Sequence, residues 1–173
     1  SGPDAALATG IRFFKEAKAH AVKLEGGAKV VPQIKRLVEA GIPVMGHLGL
    51  TPQSVHVLGG FKVQGRGEDG ARIIADAKAL EAAGVFALVL ELVPEELATQ
   101  ISKELSIPVI GIGAGAGCDA QVLVWTDLMG ITKNAPKLAK AYRNLRIEML
   151  GAAKEFASEV SSGQFPGPEQ TFH

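Results

Sequence analysis

Lys23 and Glu25 stand two residues apart in Ala21-Val22-Lys23-Leu24-Glu25-Gly26-Gly27, and a strand here puts both on one face while Val22 and Leu24 point the other way. An ammonium and a carboxylate at the carboxyl end of a strand can bind a small anion or help hold a hard cation, and in parallel barrels that end carries the chemistry. The alternative is an ion pair that satisfies only itself. Two further polar groups close apolar strands in the same way. His47 follows Ile42-Pro43-Val44-Met45-Gly46, and Glu91 lies inside Phe86-Ala87-Leu88-Val89-Leu90-Glu91-Leu92-Val93. A buried strand has no packing use for a carboxylate, which costs several kcal/mol to bury unpaired. Glu91 therefore reads as a general base, or else as the partner of Lys23 or of a neighbouring arginine. His47 fits a catalytic role and a hydrogen-bonded structural role equally well. His20, His56 and His173 fall in a helix, a loop and the tail, without zinc spacing. One cation and two carboxylates around one mouth suit metal-assisted proton abstraction or aldol-type chemistry on a small acid.

Alternating helices and strands must position these groups. Ile11, Phe13, Phe14 and Ala17 mark an amphipathic helix before the first strand, and Val30, Val31, Ile34, Leu37 and Val38 form one apolar stripe after it, with Pro32 in the first turns. Residues 55–70 hold five glycines with Lys62 and Arg66, a composition for a functional loop rather than a regular element. A helix over 73–81, the strand around Glu91, a helix from Pro94 to Leu105 and a strand over 107–113 follow. Gly111-Ile112-Gly113-Ala114-Gly115-Ala116-Gly117 reads as a tight barrel-mouth turn, because a strand over 121–125 follows where a phosphate-cradling turn needs a helix. Helices are expected over 136–142 and 145–160, then a tail containing proline and glycine.

The chain echoes itself. Ile42-Pro43-Val44-x-Gly46 returns as Ile107-Pro108-Val109-x-Gly111, and Ala21-Val22-x-Leu24-Glu25 returns as Ala87-Leu88-x-Leu90-Glu91, about 65 residues later. Two βα units per period places Glu25 and Glu91 at equivalent ends of parallel strands. Composition agrees with one α/β domain over 1–173: 47% of the 173 residues are hydrophobic and 21% charged. Basic and acidic residues number 18 each, which leaves no electrostatic footprint for nucleic acid or an anionic membrane. One cysteine, no apolar run long enough for a bilayer and no signal segment make the cytoplasm the expected compartment.

Longer motifs carry a resemblance. Val22-Lys23-Leu24-Glu25-Gly26-Gly27, Gly46-His47-Leu48-Gly49-Leu50-Thr51-Pro52-Gln53-Ser54, Gly60-Phe61-Lys62-Val63-Gln64-Gly65-Arg66-Gly67, Leu88-Val89-Leu90-Glu91-Leu92-Val93-Pro94 and residues 107–115 are similar to those of the ketopantoate hydroxymethyltransferase family. The resemblance implies a (β/α)8 TIM-type barrel and Mg2+. It also implies transfer of a hydroxymethyl group from 5,10-methylenetetrahydrofolate to 3-methyl-2-oxobutanoate, giving 2-dehydropantoate, in a homo-oligomer of decameric type. Position by position it implies that Lys23 contacts the oxo acid, Glu25 belongs to the metal site, Glu91 accepts the proton, and His47 lies beside them.

The sequence departs from the family pattern as well. The family's barrel opens with a portion carrying two metal-binding aspartates and a substrate-contacting serine, and neither Asp119 nor Asp127 has their context. Ala120 stands where the turn usually has glycine, and Gln170 where the tail tends to have histidine. Five strand–helix units are countable and a closed barrel needs eight, so an upstream segment of roughly 80 to 100 residues is expected. The other readings are a different Mg-dependent oxo-acid lyase of barrel type and a fragment kept for assembly.

Overall fold

The computed structural model describes residues 2–172, so His173 lies outside the described residues. Its sheet has five parallel strands: β1 (Val22–Glu25), β2 (Val44–Gly49), β3 (Ala87–Glu91), β4 (Val109–Ile112) and β5 (Ala120–Gln121). They lie side by side in chain order. That order is the wall of a (β/α)8 barrel; a doubly wound sheet would reverse at a switch point. The helices α1 (Pro3–Lys15), α2 (Val31–Glu39), α3 (Asp69–Ala82) and α4 (Glu95–Glu104) accompany it.

Strand parity separates packing from chemistry. Glu25 pairs with His47, His47 with Val89, and Gly49 with Glu91, so Lys23, Glu25, His47 and Glu91 share one face. The other face presents Val44, Leu48, Leu88, Leu90 and Val109, buried in one core with Ile34 and Leu37 of α2, Ile73 and Leu80 of α3 and Ile101 of α4. Each such side chain contributes about 1.5–3 kcal/mol by leaving water. The helix face is thus hydrophobic throughout, and the polar groups stand only on the face turned away from the helices.

The repeat seen in the sequence extends to main-chain hydrogen bonds. Val22 N–H donates to Pro43 O, as Leu88 N–H donates to Pro108 O; Gly26 N–H donates to His47 O, as Leu92 N–H donates to Ile112 O. The two prolines stand just ahead of β2 and β4, where their carbonyls are used and no N–H is needed.

Residues up to Val122 form one compact unit, and those from Leu123 onward form a second. The second holds the short helix α5 (Trp125–Leu128) and the long helix α6 (Leu145–Ser162), closed by Gly163 at φ +74°. Two expectations fail around this boundary. The strand expected over 121–125 is limited to Ala120–Gln121, because β5 bonds only to β4 and the chain turns into α5 at Trp125. No helix forms over 136–142. That stretch instead makes a single turn, Ala139 N–H to Pro136 O, and its end is held by Tyr142 N–H to Leu128 O, after which α6 begins at Leu145.

One face of α3 fastens two of the loops at the carboxyl end of the sheet. Asp69 Oδ2 accepts from Gly65 N–H at 3.0 Å, and its Oδ1 accepts from Arg72 Nε at 2.7 Å. Arg72 Nη1 donates to Asp76 Oδ2 at 3.3 Å, and Asp76 Oδ1 accepts from Ala28 N–H at 2.8 Å. Spacings of three and four residues put all three side chains on one side of the helix. The Arg72 guanidinium holds the Asp69 carboxyl below its usual range, although partial burial opposes this. A depressed folded-state pKa contributes stability above the ordinary carboxylate pKa, and that contribution is lost as pH falls through the folded value. Because Asp69 and Arg72 are 38% and 58% exposed, we expect less than about 1 kcal/mol. Urea unfolding of Asp69→Asn should show a lower midpoint at neutral pH and a flatter decline on acidification; an unchanged acid limb would count against the clamp.

Candidate active site

Four side chains meet where β1, β2 and β3 end. Lys23 Nζ lies 3.1 Å from His47 Nδ1 and 3.6 Å from Glu25 Oε1. His47 Nδ1 lies 3.6 Å from the same Glu25 oxygen, and on the other side of the ring Nε2 lies 3.1 Å from Glu91 Oε2. The structure therefore brings together all four residues singled out in the sequence. Glu91 stands against the imidazole of His47 and makes no ion pair with Lys23 or an arginine among the described residues.

Burial is graded across the cluster. The His47 side chain is 2% exposed, Glu25 8% and Glu91 16%, whereas Lys23 is 45% exposed. An ammonium has hydrogens to give and no lone pair, so at 3.1 Å the Nδ1 of His47 must accept. That hydrogen bond goes with the tautomer whose proton is on Nε2. Glu91 Oε2 is close to that nitrogen but stands off the N–H axis, so no hydrogen bond forms, and Nε2 is a buried donor without a partner. An unspent donor in such a place costs roughly 1–3 kcal/mol, which a ligand oxygen would recover.

Main-chain groups fix the carboxylates, and no pattern of side chains could have announced them. Glu25 Oε2 accepts from the backbone N–H of Gln53 at 3.0 Å, which ties the end of β1 to the loop after β2. Beyond Glu91 the chain turns sharply: Leu92 has φ +48°, a left-handed conformation uncommon for a branched residue. Gly26, at the equivalent place after Glu25, has φ +125°. Gly49 has φ +87°, and a Cβ there would collide with the carbonyl oxygen of Glu91. Gln64 N–H donates to Leu92 O, bringing the glycine-rich loop back to the end of β3. The α3 clamp also went unread, although Asp69-x-x-Arg72-x-x-x-Asp76 has the spacing of an ion ladder.

Glu25 can serve a hard cation only as one ligand of several. Among the described residues no group of three or more His, Cys, Asp or Glu is placed to hold a metal ion. Mg2+ nevertheless takes one or two carboxylates and completes its shell with water and substrate oxygens, so the single carboxylate of Glu25 fits in that limited sense. A cavity of about 440 Å3 opens on Lys23 and Glu25 between α1, β1 and α2, without reaching His47 or Glu91. No helix among the described residues is long and apolar enough to cross a membrane.

A parallel sheet in barrel order, with an ammonium, an imidazole and two carboxylates at its carboxyl end, defines the class: an α/β barrel-type chain with the makings of an acid–base site. The profile of the family described as ketopantoate hydroxymethyltransferase matches residues 1–168, and the chain belongs to that family. It is 54% identical over 173 residues to the 3-methyl-2-oxobutanoate hydroxymethyltransferase of a Nocardioides strain, covering 99% of this chain and 59% of that protein. The proteins of the same name from Frankia alni and Mycobacterium ulcerans are each 56% identical, with 57% and 58% of their lengths covered. The chain thus spans a little under three-fifths of these curated relatives. The solved structure of a putative lyase/mutase from Burkholderia cenocepacia aligns over 99% of this chain and 62% of its own, at 17% identity and a TM-score of 0.47, a likeness too distant to bear on function.

The tautomer of His47 is open to measurement. Nitrogen-15 NMR should find Nδ1 unprotonated and the proton on Nε2. In Lys23→Met the donor to Nδ1 is gone, and the ring should shift toward the Nδ1–H form facing Glu25; a spectrum indifferent to that change would count against Lys23 as the orienting group.

Proposed function

We propose that this chain carries the proton-abstracting centre of a transferase that moves a hydroxymethyl group from 5,10-methylenetetrahydrofolate to 3-methyl-2-oxobutanoate. Membership of the family supports the reaction class. The observation that supports the assignment of roles is the buried Nε2 of His47, a hydrogen-bond donor left unspent 3.1 Å from Glu91.

Each residue then has a task its position allows. Lys23, the most exposed of the four, receives the carboxylate of the oxo acid, and its ammonium keeps the His47 ring turned. Glu91 takes the proton from C3 of the oxo acid. The electron pair left on C3 is delocalised onto the neighbouring keto oxygen, where negative charge collects, and the N–H of His47 is the donor available to it. Water cleaves both C–N bonds that hold the one-carbon unit between two nitrogens of the carrier: its two protons end on those nitrogens, and its oxygen stays on the carbon as the carbonyl of formaldehyde. C3 bonds to that carbon, and the alkoxide so formed takes back the proton held by Glu91. Glu25 is the residue that would hold Mg2+, which when bound draws charge from the oxygens of the oxo acid. The α3 clamp and the Gln53 amide keep the surrounding loops from moving as charge develops.

Exchange of the C3 proton with deuterated solvent isolates the first step. Glu91→Gln preserves size and should lower that exchange by roughly 10² to 10⁴, while Lys23→Ala should weaken oxo-acid binding by roughly 10- to 100-fold. Near-normal exchange in Glu91→Gln would remove it from the role of base.

Magnesium is tested separately. Calorimetric titration of Glu25→Ala in the presence of the oxo acid should show weakened Mg2+ binding, whereas an unchanged isotherm would place the ion elsewhere.

A further inference from the structure

A second cavity lies behind the catalytic rim. It has a volume of about 350 Å3 and is enclosed by the loop after β1, the loop after β2 and the first half of α3. Gly26, the residue after Glu25, and Gly49, opposite Glu91 in the sheet, belong to its wall, so it begins where the reacting groups end. A ligand bound over the carboxyl end of the sheet could reach across this backbone rim into it.

Its lining is divided. Leu48 and Ile73 form an apolar floor, and Val57 and Leu58 an apolar side. Val57 is 90% exposed and without cover. The polar groups are Lys29, Arg72, Asp76, Thr51 and Ser54. Asp76 already accepts one hydrogen bond at each oxygen, Oδ1 from the Ala28 N–H and Oδ2 from Arg72 Nη1. Lys29 makes no ion pair among the described residues. Arg72 is held still by two carboxylates and keeps further N–H groups, since only Nε and Nη1 are used. The cavity therefore sets two cationic donors, Lys29 and Arg72, beside two hydroxyls that can donate, around an apolar floor. That combination recognises an anion with an apolar body, and the volume falls in the range of small-molecule sites.

We propose that this cavity binds the acidic tail of the one-carbon carrier, with the aryl portion on Leu48, Ile73 and Val57 and a tail carboxylate on Lys29 and Arg72. The proposal rests on the hydroxymethyl-transfer reading. It adds that the carrier crosses the Gly26–Gly49 rim from the helix side while the oxo acid occupies the opposite face of the sheet.

The test compares two probes by calorimetry on the full chain: tetrahydrofolate, and 6-methyltetrahydropterin, which keeps the ring system and lacks the aryl-glutamyl tail. The unaltered protein should prefer tetrahydrofolate at least about tenfold, and Lys29→Glu should abolish that preference while leaving the pterin affinity and the C3 exchange of the oxo acid unchanged. Lys29 is exposed in the loop after β1, so its replacement spares the core. Val57→Glu, at a position 90% exposed, supplies a second variant that sets a carboxylate against the tail and should act in the same direction. If the two probes bind equally while C3 exchange proceeds, or if both variants keep the preference, the cavity proposal is wrong and the transfer reading stands. If the unaltered protein neither exchanges the C3 proton nor binds either probe, the transfer reading fails and takes the cavity proposal with it.

Discussion

One buried imidazole organises the functional end of this sheet. His47 occupies the middle of three adjacent strand ends, with the ammonium of Lys23 at one ring nitrogen and the carboxylate of Glu91 near the other. Charges in such a place are costly unless each is met by another charge or a hydrogen bond. Here Glu25 is met by Lys23 and the Gln53 amide, and Lys23 by Glu25 and the imidazole. The arrangement needs the registers of β1 with β2 and β2 with β3 to be held together, since a slip of one residue in either would send a charged group into the helix-facing core. The core thereby enforces the site: Leu48 and Leu90, buried on the helix face, cannot keep their places unless His47 and Glu91 face the other way.

The chain must also leave the sheet immediately after each carboxylate. After Glu25 the turn is made by Gly26, which tolerates its positive φ without penalty, and after Glu91 it is made by Leu92, which does not. Leu92 holds that conformation through its N–H to Ile112 and its carbonyl to Gln64. Those two bonds join the end of β3 to β4 on one side and to the glycine-rich loop on the other, so the strained residue is also the tie-point for its surroundings. A constraint of this kind orients a carboxylate more firmly than its own rotamer preferences can.

Much of this was legible before the structure. Strand periodicity and the proline-led repeats located four of the five strands, and the four polar strand-end residues are the ones that meet. What escaped had physical reasons. The amide of Gln53 and the twist at Leu92 are main-chain features with no side-chain signature. The strand expected over 121–125 was read from an apolar run, yet a run becomes a long strand only with partners, and β5 has β4 alone. Residues 136–142 carry helix-favouring side chains, yet they make one turn, Ala139 N–H to Pro136 O, and the Tyr142 N–H is taken by Leu128 O. Propensity lost to tertiary hydrogen bonding in that case.

Sheet and helices divide the labour in a way that follows from parity. Polar strand residues can stand only on the face away from the helices, where strand side chains are free of the core. Recognition of a large ligand needs surface of another kind, apolar floor with fixed cations, and that is available where βα loops arch over a helix. The α3 ladder joins the two regions: Asp69 and Asp76 anchor Gly65 and Ala28, and between them they immobilise Arg72. A guanidinium held by two carboxylates loses less entropy when it engages an anion than a free one would. The acidic partners therefore do not cancel Arg72; they set its direction, and the loops beside the candidate site are fastened by the same three side chains.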